Sequence, residues 1–132
     1  MALRCLLYIS AARPGLGRKD IDAIVASSQR NNAGDGLTGL LLFNGSNFAQ
    51  LLEGSEEPLG GLMRRLITDQ RHNGVARLVD RPLDRAACSG WAMQPIGIGL
   101  PQPARGQAIA SALPAGLDDD LRTFLVNFAR LN

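Results

Sequence analysis

Apolar positions along this chain repeat with two different periods, and the switches between them mark its elements. Leu3 to Ser10 is a short apolar run that predicts a strand. From Arg18 to Asn31 the apolar positions Ile21, Ile24 and Val25, with Ser28, fall on one stripe at helical spacing, and Gly34 follows as the expected helix stop. Gly34-Asp35-Gly36 is rich in turn residues and leads into the next element. Leu37 to Phe43 and Phe48 to Leu52 are apolar runs around Asn44-Gly45-Ser46-Asn47, a hairpin signal. Ser55 with Glu56 and Glu57 suits the free amides of a helix start, after which Leu59, Leu62, Met63, Leu66 and Ile67 mark one buried face. Gly60 and Gly61 cost that helix about 1 kcal/mol each relative to alanine. Val75 to Arg81 and Gly90 to Ile98 read as two further strands.

The resulting order, β-α-β-β-α-β-β, is an α+β, ferredoxin-like arrangement with one added strand and two helices on one face of the sheet. The run Leu37 to Phe43 is apolar at nearly every position, so both faces of the sheet need cover. Two helices supply only one. Leu117, Leu121, Phe124, Leu125 and Phe128 recur at helical spacing and predict an amphipathic segment for the other face or for a second subunit. The chain therefore divides into a unit over residues 1–98 and a helical extension over 99–132.

Composition narrows the chemistry. A length of 132 residues allows one core, and 45% hydrophobic with 20% charged residues is ordinary for a globular protein. A net charge of +2, scattered along the chain, does not call for nucleic acid or an anionic membrane as partner. Cys5 and Cys88 form no CxxC pair, and the first residues resemble no signal peptide, so a reducing cytoplasm is expected. No dinucleotide or phosphate-loop fingerprint is present, and His72 is the only histidine, which argues against His-rich metal sites and a Ser-His-Asp triad. No machinery for turnover is visible, and no metal is expected.

What remains is a constellation of polar groups. In a ferredoxin-like sheet strands one and three are neighbours, so Tyr8, between Leu6 and Ser10, meets Gln50, between Phe48 and Leu52, beneath the first helix. A buried phenol and amide satisfy one another. Asn31 and Asn32 stand at the end of that helix, where they would hold a planar polar ligand, and Trp91 and Met93 share a face of the last strand. Each alone is ordinary: a strand tyrosine is usually core, and asparagines at a helix end usually cap it. Gln50 is harder to dismiss, because a buried amide without partners costs about 1–3 kcal/mol.

Together these residues resemble the BLUF family, sensors of blue light using FAD. Leu-Leu-Tyr8-Ile-Ser10 is similar to its first strand, and Asn31-Asn32-Ala-Gly-Asp-Gly-Leu-Thr38-Gly39 to its passage from helix to strand. Phe48-Ala-Gln50-Leu-Leu-Glu53-Gly54 matches F-x-Q-x-x-E-G, Asp69-Gln-Arg71-His72 resembles the end of the second helix, and Gly90-Trp91-Ala-Met93 the last strand. The likeness runs from Leu3 to about Ile98. It implies a flavin held without a covalent bond between the two helices: Asn32, assisted by Asn31, on the pyrimidine side of the ring, Gln50 at N5 and the C4 carbonyl, and Tyr8 holding Gln50. Ile24 and Ser28 would line the ring, and Arg65 and Asp69 would face the ribityl and phosphate side. Light would drive electron and proton transfer from Tyr8 through Gln50, leave the amide rotated or tautomerised, and pass the change to Met93 or Trp91 and so to the C-terminal segment. FAD is the expected flavin, although the ring contacts also suit FMN and riboflavin. A photoreceptor of this kind, not an enzyme, would signal in trans to an unidentified effector protein, as a homodimer or higher oligomer. The alternative is a flavin-free ferredoxin-like interaction module in which the same side chains form a buried polar network.

Overall fold

The computed structural model describes residues 3–68, 72–98 and 100–131. In chain order the elements are β1 (Leu3–Ala12), α1 (Arg18–Asp35), β2 (Thr38–Phe43), β3 (Asn47–Gly54), α2 (Glu56–Thr68), β4 (His72–Leu83), β5 (Gln94–Ile96), α3 (Ala104–Ala112) and α4 (Asp119–Ala129). The five strands form one sheet in the order β4-β1-β3-β2-β5. β1 runs antiparallel to both β3 and β4, β2 is antiparallel to β3, and only β5 joins in parallel, beside β2. This is the ferredoxin-like α+β fold with one added strand.

Alternation along the central strands sorts the core into two layers. Leu6, Tyr8, Phe48 and Leu52 point to one side, against Ile21 and Ile24 of α1 and Leu59, Leu62 and Leu66 of α2. Cys5, Leu7, Ala49 and Leu51 point to the other, against Ile109 of α3 and Leu121, Leu125 and Phe128 of α4. A strand apolar on both faces is thus covered on both. Arg81 of β4 ties down the start of α4 through Asp118 and Asp120, at 2.9 and 2.8 Å.

Five expectations change in detail. Ile67, expected on the buried face of α2, lies at its solvent side and is 72% exposed, while Leu59, Leu62 and Leu66 are buried. Gly34 does not stop α1: the helix continues to Asp35, and Gly36, with φ of 70°, takes the left-handed cap position that glycine adopts without strain. The C-terminal segment forms two helices, because Pro114, Ala115 and Gly116 interrupt it; Leu117 lies outside α4 yet is buried. β4 begins three residues before Val75, at His72. The last strand is the largest change. Only Gln94–Ile96 pair, while residues 84–93 pass through turns, with Gly90 at φ of 84°. There the Trp91 N–H bonds to the Cys88 carbonyl at 3.0 Å, a turn contact in place of a ladder bond.

Candidate functional site

The site begins with register. Tyr8 of β1 sits directly opposite Gln50 of β3, on the side covered by α1 and α2. Tyr8 is wholly buried and Gln50 nearly so. The phenol donates its hydrogen bond to Gln50 Oε1. The amide nitrogen of Gln50 in turn donates to the sulfur of Met93, Nε2 to Sδ at 3.3 Å. Thioether sulfur is a weak acceptor, so this last link is the weakest of the chain.

A second set of bonds comes from α1. The Asn32 carbonyl receives the Gly36 N–H of the left-handed cap and the Leu37 N–H at 2.9 Å, which fixes the backbone from which its side chain projects. Asn32 Nδ2 donates to the Ala92 carbonyl at 2.8 Å. Gln29, one turn earlier, donates to the Met93 carbonyl at 3.1 Å. The other half of the Asn32 amide, Oδ1, is a buried oxygen with no hydrogen-bond donor among the described residues. An acceptor left so costs about 1–3 kcal/mol, which a ligand N–H recovers. The end of a helix carries partial negative charge, which favours a ligand that donates there over an anion.

The remaining expected residues fall into two groups. Ile24 is buried on the same side as Tyr8, Ser28 is half-buried and Asn31 is exposed. Arg65 of α2 reaches Asp35 at the end of α1, 3.1 Å away and half-exposed, a bond that spans the two helices. Asp69 lies outside the described residues. Trp91 and Met93 were expected to share a face and do not: Met93 packs with Tyr8 and Gln50, whereas Trp91 packs against the layer of α4. The reason is local. Residues 84–93 turn, so the two-residue period of a strand does not apply to them.

Sequence reasoning misses two participants. Gln29 is four residues after Val25 and three before Asn32, on the stripe that faces the site, but Ser28 beside it is the more conspicuous letter. Glu53 enters only within a motif; it is a buried acid in an apolar strand, on the face opposite Gln50 by simple alternation. That combination is itself a signal.

The thiols play no part at this site. Burial, reinforced by the charge of Glu53, pushes both Cys5 and Cys88 up to about 12, so both are protonated at neutral pH. They also lie in the layer opposite Tyr8. A bond from cysteine to a ligand held near Tyr8 and Asn32 is therefore excluded on both chemistry and position.

Known proteins resemble this chain in sequence and in fold. The family model described as BLUF, sensors of blue-light using FAD, matches residues 3–94. The blue light- and temperature-regulated antirepressor BluF of Escherichia coli (strain K12) is 40% identical over 77 residues, 58% of this chain and 19% of that protein. The photoactivated adenylate cyclase subunit beta of Euglena gracilis is 36% identical over 92 residues, 69% of this chain and 11% of that one. The chain thus spans a small share of the curated relatives it matches. Among solved structures, BlrB, a BLUF protein in its dark state, superposes with a TM-score of 0.76 at 27% identity, covering 98% of both chains. Klebsiella pneumoniae BlrP1 with FMN and cyclic diGMP gives 0.82 at 30% identity over 96% of this chain and 34% of that one. With the family match running from the first strand to the turn that carries Met93, the chain belongs to the BLUF family of flavin-binding blue-light sensors.

Proposed function

We propose that this chain is the light-sensing unit of a blue-light response, holding FAD without a covalent bond and switching the chain of hydrogen bonds from Tyr8 through Gln50 to Met93. One observation carries the reading: a buried phenol, amide and thioether are linked in series on the face where Asn32 keeps a buried oxygen with no donor among the described residues. Asn32 Oδ1 suits the ring N–H of a flavin, and this is the residue proposed to hold its pyrimidine side. Ile24 and Ser28 would line the ring, with Asn31, Arg65 and Asp69 toward its outer parts. FAD is preferred because the family is described by it; none of the ring contacts depends on the tail.

Bound flavin supplies the absorption of blue light and, once excited, an oxidant next to Tyr8. The chain's own residues move a proton and turn an amide. The Tyr8 proton already lies on a path to Gln50 Oε1. Once the Gln50 amide is turned over, its nitrogen faces the phenol oxygen and its carbonyl faces Met93 Sδ, which has no proton to give. The bond to Met93 is then lost, while Gln29 and Asn32 still hold the backbone of Met93 and Ala92. The state of one amide is in this way written into the packing of residues 91–93.

Residues 1–98 are proposed as the sensor and 99–132 as the element that reports it to an effector protein, with a homodimer as the preferred assembly. No described helix is long and apolar enough to cross a membrane. The two buried free thiols fit a reducing cytoplasm as the working compartment.

The test is an absorption spectrum of the purified protein in darkness and after blue light. A flavin spectrum that shifts to the red and relaxes back in the dark is expected. A protein that stays colourless after refolding with FAD overturns the reading and leaves a flavin-free interaction module.

A further inference from the structure

Three residues beyond Gln50, and on the opposite face of the sheet, β3 carries a buried carboxylate. Glu53 is 2% exposed. Its Oε1 accepts from the Thr38 hydroxyl and from the Cys88 backbone N–H, both at 2.9 Å, and its Oε2 accepts from the Ala87 N–H at 2.7 Å. Among the described residues it has no ion-pair partner. A buried charge compensated only by hydrogen bonds makes each of them count, and bonds from N–H to carboxylate are about twice as strong as neutral ones.

What Glu53 grips is the start of the turning segment that joins β4 to β5. The same segment is tied at its far end to the flavin-side residues. Asn32 holds the Ala92 carbonyl, Gln29 the Met93 carbonyl, and Gln50 the Met93 sulfur. Between the two ends stands Trp91. Its N–H bonds to the Cys88 carbonyl, its carbonyl receives the Gly39 N–H at 2.9 Å, and its ring packs against the layer that contains α4. Gly39 tolerates no side chain there, since a Cβ would run into the Leu51 carbonyl oxygen. The tie to β2 is thus as constrained as the grip of Glu53.

We propose that Glu53 is a positioning residue for the light response: it anchors residues 87 and 88, so that loss of the Gln50–Met93 bond at the other end turns Trp91 against α4. This rests on the photoreceptor reading above and goes beyond it by naming the anchor. Only one end of the segment is altered when the Gln50 amide turns. Were the other end loose, the change would dissipate within the turns; held by a carboxylate, the segment shifts at its middle. Glu53 does not touch Tyr8 or Gln50, and its side chain lies across the sheet from them. It acts downstream of the photochemistry.

Trp91 is the only tryptophan of the chain, so its emission reports this place alone. The experiment measures, on the flavin-loaded full chain, the light-induced red shift and the light-minus-dark change in quenching of Trp91 by acrylamide. Glu53→Gln keeps the volume but sets an amide N–H₂ against the Ala87 N–H. The red shift is expected to keep its full amplitude while the Trp91 change is largely lost, because the segment no longer has a charged acceptor to hold it. A purely structural role for Glu53 lowers the melting temperature and leaves the ratio of the two signals as in the wild type. That outcome overturns the proposal, as does a parallel fall in both signals. Should Glu53→Gln fail to fold, Thr38→Val decides, because it removes one donor and leaves the carboxylate: a reduced Trp91 change at full red shift supports the anchor, and an unchanged one overturns it. A wild-type protein with no red shift overturns the photoreceptor reading itself, and so is told apart from failure of the anchor alone.

Discussion

The two faces of the sheet bury polar groups in opposite ways. On the side of α1 and α2, Tyr8 donates to Gln50 and Gln50 to the weak sulfur acceptor of Met93, while Asn32 donates to the Ala92 carbonyl and its own amide oxygen has no donor among the described residues. On the side of α3 and α4, Glu53 has a donor on each oxygen and two on one of them. A polar network that is incomplete within the protein is one that a ligand completes; one that is complete within the protein holds it together. The difference separates a face with an acceptor to offer a ligand from a face whose buried carboxylate is already satisfied.

The strongest way to break this contrast is on the incomplete face. Tyr8→Phe or Gln50→Leu should keep flavin bound and abolish the light-induced red shift, since phenylalanine cannot donate and leucine can neither donate nor accept; a normal shift in either variant, read by difference spectroscopy, sinks the mechanism. On the complete face the largest effect is structural. Leu121 is 3% exposed in the core beneath α4, and Leu121→Asp should cost roughly 3 kcal/mol or more in urea unfolding, because it buries a charge without a partner. Unchanged melting would show that α4 does not depend on that layer. Asn32→Ala removes the amide oxygen that awaits a donor, and flavin affinity by titration should weaken about tenfold, the worth of one buried hydrogen bond. An unaltered affinity would leave that oxygen without a role.

The smallest effect belongs to the exposed tie at the rim. Hydrogen bonding to Arg81 holds the Asp120 carboxyl below its ordinary value of 3.8. A carboxyl lowered in the folded state contributes stability that is present above its unfolded value and is lost as pH falls through the folded one. Acid below about pH 4 should therefore loosen the start of α4, salt should do the same at neutral pH, and Arg81→Ala should remove both sensitivities. Hydrogen exchange of the first turn of α4 reads this directly; identical pH dependence in the variant would remove the ion pair from the account.

How much of this was legible in the sequence depends on whether local rules apply. The central strands, the hairpin at Asn44-Gly45 and the meeting of Tyr8 with Gln50 follow from alternation and from strand order, and the structure places them so. Asn44 confirms the hairpin chemistry by accepting from the Ser46 and Asn47 N–H groups. The end of α1 lies two residues beyond its expected stop because Gly34 and Gly36 are equivalent as letters, and only the cap bonds to Asn32 distinguish them. Residues 84–93 are the part that local rules do not reach. Their apolar spacing mimics a strand, yet their backbone is satisfied by Glu53, Asn32, Gln29 and Gly39, all distant in sequence. Tertiary partners of that kind leave no periodic trace. Trp91 and Met93 can therefore be picked out as candidates from sequence, but not as residues of opposite faces.

β3 also sets a constraint on inheritance. Every residue from Phe48 to Gly54 is buried, so neither face of the strand is idle. Gln50 and Glu53 point in opposite directions only because an odd number of steps separates them. A single codon gained or lost between them would turn one of the two to the wrong side, emptying either the site or the anchor. Substitutions can tune this strand, but its length behaves like a reading frame. One-residue insertions within residues 48–53 should yield no light-responsive protein, whereas the exposed turn at Arg13, Pro14 and Gly15 should accept them, which a scanning insertion library would show.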